Sequence, residues 1–147
     1  MKPLIRMISL TVLCLSLFAG AAAAQEKSLY ERLGGYDAIA AVTDALMVRI
    51  KNDDKLRRFY DHRGADGIAR EQQLLVDYLS ASAGGPMFYT GRDMTTVHIG
   101  MRLDEEDWSR AIVHLTATLE AFAVPAQEKR EVIEFTNRLK PEIVEVP

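Results

Sequence analysis

Imidazole and thiol side chains, which bind transition metals and act as nucleophiles, are few in this chain, since it has three histidines and one cysteine. Residues 84 to 101 read GGPMFYTGRDMTTVHIGM, and His98 stands there between Val97 and Ile99. These neighbours, with methionines on both sides, predict that the imidazole faces an apolar space. A hydrogen-bonded core histidine is one interpretation of such a residue.

A metal ligand is the other interpretation of His98. No second histidine, cysteine or carboxylate stands at a chelating spacing from it, which argues against a zinc or dimetal site. A single imidazole can still bind a metal when something else supplies the remaining ligands. A porphyrin does so and leaves the protein one axial position to fill.

The other two histidines are weaker candidates for metal ligands. His114 falls off the apolar stripe of its predicted helix, and His62 lies in the polar segment YDHRGAD, so both are expected at the surface. The sequence has no G-x-x-x-x-G-K-[ST] loop, no G-x-S-x-G, no H-E-x-x-H and no C-x-x-C-H for covalent haem attachment.

Gln72 is a second residue of interest. At about 100° per residue it projects onto the same helix side as Ile68, Leu75 and Leu79, so its amide is expected on the buried face. A buried amide without a partner costs about 1 to 3 kcal/mol. Either a ligand or a backbone group at a helix crossing should therefore receive its hydrogen bond.

These side chains must be positioned by helices, because apolar residues repeat every three or four positions and no alternating strand pattern is found. The spacing predicts helices over 36–51, 66–83 and 103–122, with Asp104 as the cap of the third. A last helix is expected to begin with Pro125 in its first turn. The glycine-rich stretch from 84 to 101 leaves little room for a long helix, and such loops are often functional. The fold class is all-α.

The first 24 residues have the layout of a cleavable secretory signal peptide. Lys2 and Arg6 precede an apolar run that is short for a membrane span of about 20 residues, and Ala22-x-Ala24 precedes Gln25. We therefore expect a signal peptide over 1–24, one domain over 25–147, no stable membrane insertion after cleavage, and a periplasmic or secreted protein.

The mature chain would lack thiol chemistry, since Cys14 lies inside the predicted signal peptide. Disulfides, cysteine nucleophiles and thiolate metal sites are excluded for it. The formal net charge is −3 and no stripe of lysine or arginine is found, so a nucleic-acid partner is not expected.

Several motifs together resemble one protein family. SLYERLGG at 28–35, D-D-x-L-x-x-F-Y at 53–60, GGP-x-x-YTGRDM at 84–94 and then His98 are similar to motifs of the truncated haemoglobins, group I most closely, in the same order. The resemblance covers about residues 28–145. It implies a globin-like two-over-two helical sandwich around a noncovalent haem b, with a diatomic gas such as oxygen, nitric oxide or carbon monoxide as ligand.

The resemblance also implies roles for residues on the side of the cofactor where the iron is ligated. His98 matches the proximal histidine that ligates the iron, and Met94 matches a methionine four residues before it. Arg92 is similar to the basic residue that meets a haem propionate, and Tyr89 matches the aromatic residue before the short helix.

On the opposite side, Tyr60 or the adjacent Phe59 matches the aromatic residue that packs on the haem face. Gln72 is similar to the distal glutamine that binds the gas ligand. Gln73 is an alternative, and a shifted alignment would place Leu75 there, because the segment from Gln72 to Gly84 is longer than in well-known members.

One position departs from the family pattern. Met47 stands where members usually have a tyrosine in the first long helix that donates to the ligand, so oxygen is expected to leave faster. Met47 as a sixth iron ligand is an alternative.

Three functions follow from these observations. The first is a haem protein that reversibly binds oxygen or another diatomic gas, as a carrier or sensor. The second is an enzyme, a nitric oxide dioxygenase or peroxidase, that uses the same haem. The third is a globin-like bundle that binds no cofactor and in which His98 is a core residue.

Overall fold

The computed structural model describes residues 26–146, so the predicted signal peptide over 1–24 lies outside the described residues. The described chain is built from six α-helices and one 3-10 helix, and the all-α prediction is confirmed. In chain order these are α1 (Leu29–Arg32), α2 (Tyr36–Lys51), the 3-10 helix (Leu56–Phe59), α3 (Ala65–Ser82), α4 (Met94–His98), α5 (Glu105–Ala121) and α6 (Ala126–Ile143).

The long helices form two packed pairs. Helix α2 packs against α3 and α5, and α6 packs against α5, while the short helices α1 and α4 rest on α6. This arrangement is the two-over-two sandwich that the resemblance implied. The buried core between the pairs includes Ile39, Val76, Leu115 and Leu119. Within residues 26–146, no helix is both long and apolar enough to span a membrane.

A buried carboxylate joins the 3-10 segment to the start of α5. Asp104 caps α5 by accepting the Asp107 N–H at 2.8 Å, and the Asp107 carboxylate accepts the Asp104 N–H at 3.0 Å. The Asp107 side chain is fully buried, and the two guanidinium nitrogens of Arg58 donate to it at 2.7 and 2.5 Å. Such a bidentate pair fixes both orientation and distance.

The end of α3 is held against α1 by a close backbone approach. The Tyr30 N–H donates to the Ala83 carbonyl at 2.8 Å. A Cβ atom on Gly85 would lie 2.5 Å from Tyr30 Cδ2 and 2.8 Å from the Ser80 carbonyl oxygen, so a larger residue does not fit there. Gly84, at φ +85, adopts the left-handed conformation that ends the helix. The chain then runs without regular structure to α4.

Candidate functional site

A largely apolar cavity of about 480 Å³ lies between the two helix pairs. Its volume is in the range of small-molecule and cofactor sites, about 300 to 1,000 Å³. Apolar and aromatic side chains from every long helix line it, including Val42, Leu46 and Ile50 from α2, Leu75 and Leu79 from α3, Trp108 and Leu115 from α5, and Val132, Phe135 and Leu139 from α6.

His98 lines this cavity from the end of α4. Its Nδ1 atom lies 2.7 Å from the backbone carbonyl oxygen of Met94. A carbonyl only accepts hydrogen bonds, so Nδ1 is the donor, and in the neutral imidazole Nε2 keeps its lone pair. A histidine that binds a metal through Nε2 has this tautomer and commonly this kind of support from its second nitrogen.

Helix α4 is short, and its start is fixed by a cap. Asp93 accepts the Thr96 N–H at 2.8 Å and the Thr96 hydroxyl at 2.7 Å. The bond from the hydroxyl, followed by that from the N–H, lowers the pKa of the Asp93 carboxyl. Met94 is buried and also lines the cavity. The expectation that His98 faces an apolar space is therefore confirmed. No cluster of three or more His, Cys, Asp or Glu that could hold a metal is found in residues 26–146.

The two aromatic residues at the end of the 3-10 helix, Phe59 and Tyr60, line the cavity as well. The Tyr60 hydroxyl points to Met47, with 3.9 Å between its oxygen and the Met47 Sδ atom. Burial raises the pKa of this phenol. Met47 is buried, at 2% exposed, but it does not line the cavity. A direct contact between Met47 and a cofactor in the cavity has no support in this geometry.

Gln72 is half-buried, as Ile68, Leu75 and Leu79 are, but the partner expected for its amide, a ligand or a backbone group, is wrong. Its Nε2 atom donates to the Asp44 carboxylate of α2, and the residue does not line the cavity. Gln73 is exposed and donates to the Tyr36 hydroxyl and to Asp77. Both amides are thus held at the outer edge of the α2–α3 contact, where a carboxylate or a phenol takes their hydrogen bonds. Leu75, the alternative from the shifted alignment, lines the cavity.

Tyr89 and Arg92 lie in the segment before α4, outside the cavity wall. The Tyr89 hydroxyl donates to the Arg92 carbonyl at 2.8 Å, and its ring packs edge-on against Tyr78 at 5.1 Å between centroids. The structure therefore gives Tyr89 a role in shaping this segment. Arg92 is exposed, and its side chain does not line the cavity.

The sequence interpretation missed Arg138, a basic residue that does reach the cavity. It lines the wall although it is exposed, so it lies at the boundary between cavity and solvent, 5.9 Å from the ring centroid of Phe135. The signal for it was its position three residues after Phe135, on the same face of α6.

The expectation that His114 is a solvated surface residue is also wrong. Its side chain is 23% exposed, and Nε2 lies 2.8 Å from the Asp53 carboxylate. Asp53 also accepts the N–H groups of Lys55 and Leu56 at the start of the 3-10 helix. The bond to His114, followed by that to Leu56, holds the pKa of Asp53 well below its usual range. His62 is exposed in a turn, as predicted.

Comparison with known proteins agrees with this fold and cavity. The family model for bacterial-like globins matches residues 28–145. The chain is 31% identical over 120 residues to the group 1 truncated hemoglobin GlbN of Mycolicibacterium paratuberculosis. This alignment covers 82% of this chain and 86% of that protein. It is 30% identical over 115 residues to the group 1 truncated hemoglobin of Tetrahymena pyriformis, over 76% of this chain and 93% of that protein.

Solved structures show the same relationship. The Fe(III) form of truncated hemoglobin from Tetrahymena pyriformis matches with a TM-score of 0.73 and 25% identity, over 80% of this chain and 98% of that one. The fold also matches the 2/2 hemoglobin from Synechococcus, solved with covalently attached heme, with a TM-score of 0.69 and 23% identity over 76% of this chain and 91% of that one.

The helical sandwich and its largely apolar cavity with one oriented imidazole define a globin. Within that class, the chain belongs to the group 1 truncated haemoglobin family.

Proposed function

We propose that this protein binds haem in the cavity, with His98 as the protein ligand of the iron, and that it reversibly binds a diatomic gas there. The observation that supports the proposal most strongly is the bond between His98 Nδ1 and the Met94 carbonyl, because it leaves the Nε2 lone pair of the neutral imidazole available in a largely apolar cavity. The similarity to proteins named as haemoglobins also supports haem as the bound group.

The residues present fit such a group. A haem iron supplies a metal centre with an open coordination position at which a small gas can bind. The protein supplies one imidazole, an apolar wall that limits water access, and the flat rings of Phe59 and Tyr60. Arg138, at the boundary with solvent, is a cation suited to the carboxylates of the porphyrin.

The haem is proposed to be haem b, held without a covalent bond to cysteine. Cys14 is the only cysteine of the chain, and the sequence has no C-x-x-C-H motif. Extraction of the loaded protein with acidified butanone tests this proposal. We expect the colour to move into the organic phase, whereas colour that stays with the polypeptide would show a covalent link.

Gas binding, as a carrier or sensor, is proposed ahead of catalysis. None of the side chains that line the cavity on α3 is a glutamine, so the amide donors that the resemblance implied for ligand stabilisation are directed elsewhere. Mixing the oxygen-loaded protein with nitric oxide discriminates the two roles. Stoichiometric nitrate at a rate far above autoxidation would favour the dioxygenase.

Export is proposed from the leader sequence alone. Cleavage after Ala24 would release a chain that begins with Gln25, shortly before the first described helix at Leu29. N-terminal sequencing of the protein from the periplasmic or secreted fraction of an expressing bacterium tests this proposal. An intact N-terminus in the cytoplasmic fraction would contradict it.

The binding proposal itself is tested by titrating the apoprotein with hemin. We expect one equivalent to bind, a shifted Soret band, and quenching of the fluorescence of Trp108, which lines the cavity. The reduced complex should then bind carbon monoxide. A hemin spectrum unchanged by the protein would overturn the proposed function.

A further inference from the structure

The cavity wall formed by α2 and α3 offers few polar atoms to a ligand. Thr43 lines it, but its hydroxyl already donates to the Ile39 carbonyl at 2.8 Å within α2. Gln72 and Gln73 donate to groups outside the cavity. The remaining lining residues from these two helices are apolar or small, apart from Tyr78 and Ser82 near the end of α3.

Tyr60 carries a hydroxyl of a different kind. Its ring lines the cavity, its hydroxyl is desolvated, and within residues 26–146 its hydrogen-bond partner is the Met47 thioether at 3.9 Å. A thioether sulfur is a weak acceptor. A buried donor with so poor a partner gains free energy when a better acceptor comes within reach.

Tyr78 is the other phenol in the wall, and its surroundings differ. Its ring packs against Tyr89 at 5.1 Å and against Phe135 of α6 at 6.1 Å between centroids, and burial raises the pKa of its phenol. The Tyr78 ring therefore packs towards α6. It provides a matched control for Tyr60.

Taking the proposed function as its basis, we propose that Tyr60 is the residue that donates a hydrogen bond to the diatomic ligand in the cavity. When no gas is bound, the Tyr60 hydroxyl contacts the Met47 sulfur. When a gas ligand with partial negative charge on its outer atom is present, the hydroxyl turns from sulfur to that atom. The tyrosine donor that the family usually has in the first long helix, at the position of Met47, is thus replaced by Tyr60 at the end of the 3-10 helix. Met47 accepts the Tyr60 hydroxyl when no gas is bound.

The test compares Tyr60→Phe with Tyr78→Phe in haem-loaded protein. Each substitution removes one hydroxyl and keeps the ring. Two quantities are measured: the oxygen dissociation rate and the carbon monoxide stretching frequency in the infrared. We expect Tyr60→Phe to raise the dissociation rate about tenfold, the effect of one hydrogen bond of ordinary strength, and to shift the stretching frequency upward. Tyr78→Phe should change neither quantity by as much.

Equal dissociation rates and frequencies for Tyr60→Phe and the unmodified protein would overturn the inference while leaving haem binding intact. Failure of the unmodified protein to bind hemin would overturn the proposed function instead. If Tyr60→Phe does not retain haem, 3-fluorotyrosine at position 60 keeps the ring and strengthens the donor. It should slow oxygen release, and an unchanged rate would overturn the inference.

Discussion

The Nδ1 atom of His98 lies 2.7 Å from the carbonyl oxygen of Met94, one helical turn earlier on α4. Met94 is the first residue of this five-residue helix and His98 is the last, so the bond spans the whole of α4. It fixes the ring and its tautomer at once. A short helix is thus enough to present an imidazole Nε2 to the cavity.

The buried carboxylate of Asp107 is expected to be a main support of this architecture. Asp107→Asn removes the charge that Arg58 binds and weakens the capping box with Asp104. The free energy of unfolding should fall by about 2 kcal/mol, less than for a fully buried pair because Arg58 is partly exposed. Urea denaturation measures it. Asp54→Asn, at an exposed position, is the control, and equal midpoints for the two variants would refute the assignment.

Two glycines should respond to alanine in opposite directions. Gly85→Ala places a Cβ atom 2.5 Å from Tyr30 Cδ2 and 2.8 Å from a backbone carbonyl, so it should destabilise the protein by about 1 to 3 kcal/mol. Gly67 lies within α3 with open space around it, and Gly67→Ala should stabilise by about 0.5 to 1 kcal/mol. Thermal unfolding of both variants checks the signs. A stabilising Gly85→Ala would contradict the close approach of α1 to α3.

Acid should weaken the fold through Asp53 and Asp104. The pKa of Asp53 is held low chiefly by His114, and Lys55 lowers the pKa of Asp104 to about 2. Because the folded pKa values lie below the unfolded value of about 3.9, this stability is present above pH 4 and is lost as the pH falls towards 2. The free energy of unfolding measured across this range should show the loss.

His114→Ala isolates the Asp53 contribution to that acid sensitivity. Without the imidazole, the pKa of Asp53 should move back towards its ordinary value, and the acid-dependent part of the stability should shrink. His62→Ala, at an exposed turn, should leave the acid profile unchanged. Identical profiles for the two variants would show that His114 does not support Asp53.

The helices were predictable from the sequence because each carries its own periodic apolar stripe and its own end signals. Asp104 indicated the start of α5, and its capping box is present. The glycines after Ala83 indicated the end of α3, and the structure ends that helix at Ser82. His98 was predicted to face an apolar space from its apolar neighbours, but Val97 and Ile99 are themselves exposed, whereas Met94 and Met101 line the cavity with it.

The errors concern side chains whose partners lie far away in sequence. Gln72 donates to Asp44, 28 positions earlier, and His114 binds Asp53, 61 positions earlier. Helical projection gives the side of a helix on which a residue lies but not the polar group that a neighbouring helix brings there. A long amide can therefore leave the apolar stripe for a carboxylate at its edge.

The most direct test of the central claim is the hemin affinity of His98→Ala beside that of His62→Ala. Loss of the single protein ligand to the iron should weaken hemin binding by at least about tenfold, because one coordination bond is worth more than an ordinary hydrogen bond. Free imidazole added to the His98→Ala variant should restore the absorbance spectrum of an imidazole-ligated haem. His62→Ala should bind as the unmodified protein does. Equal hemin affinities and equal spectra for the two variants would contradict the assignment of His98 as the iron ligand.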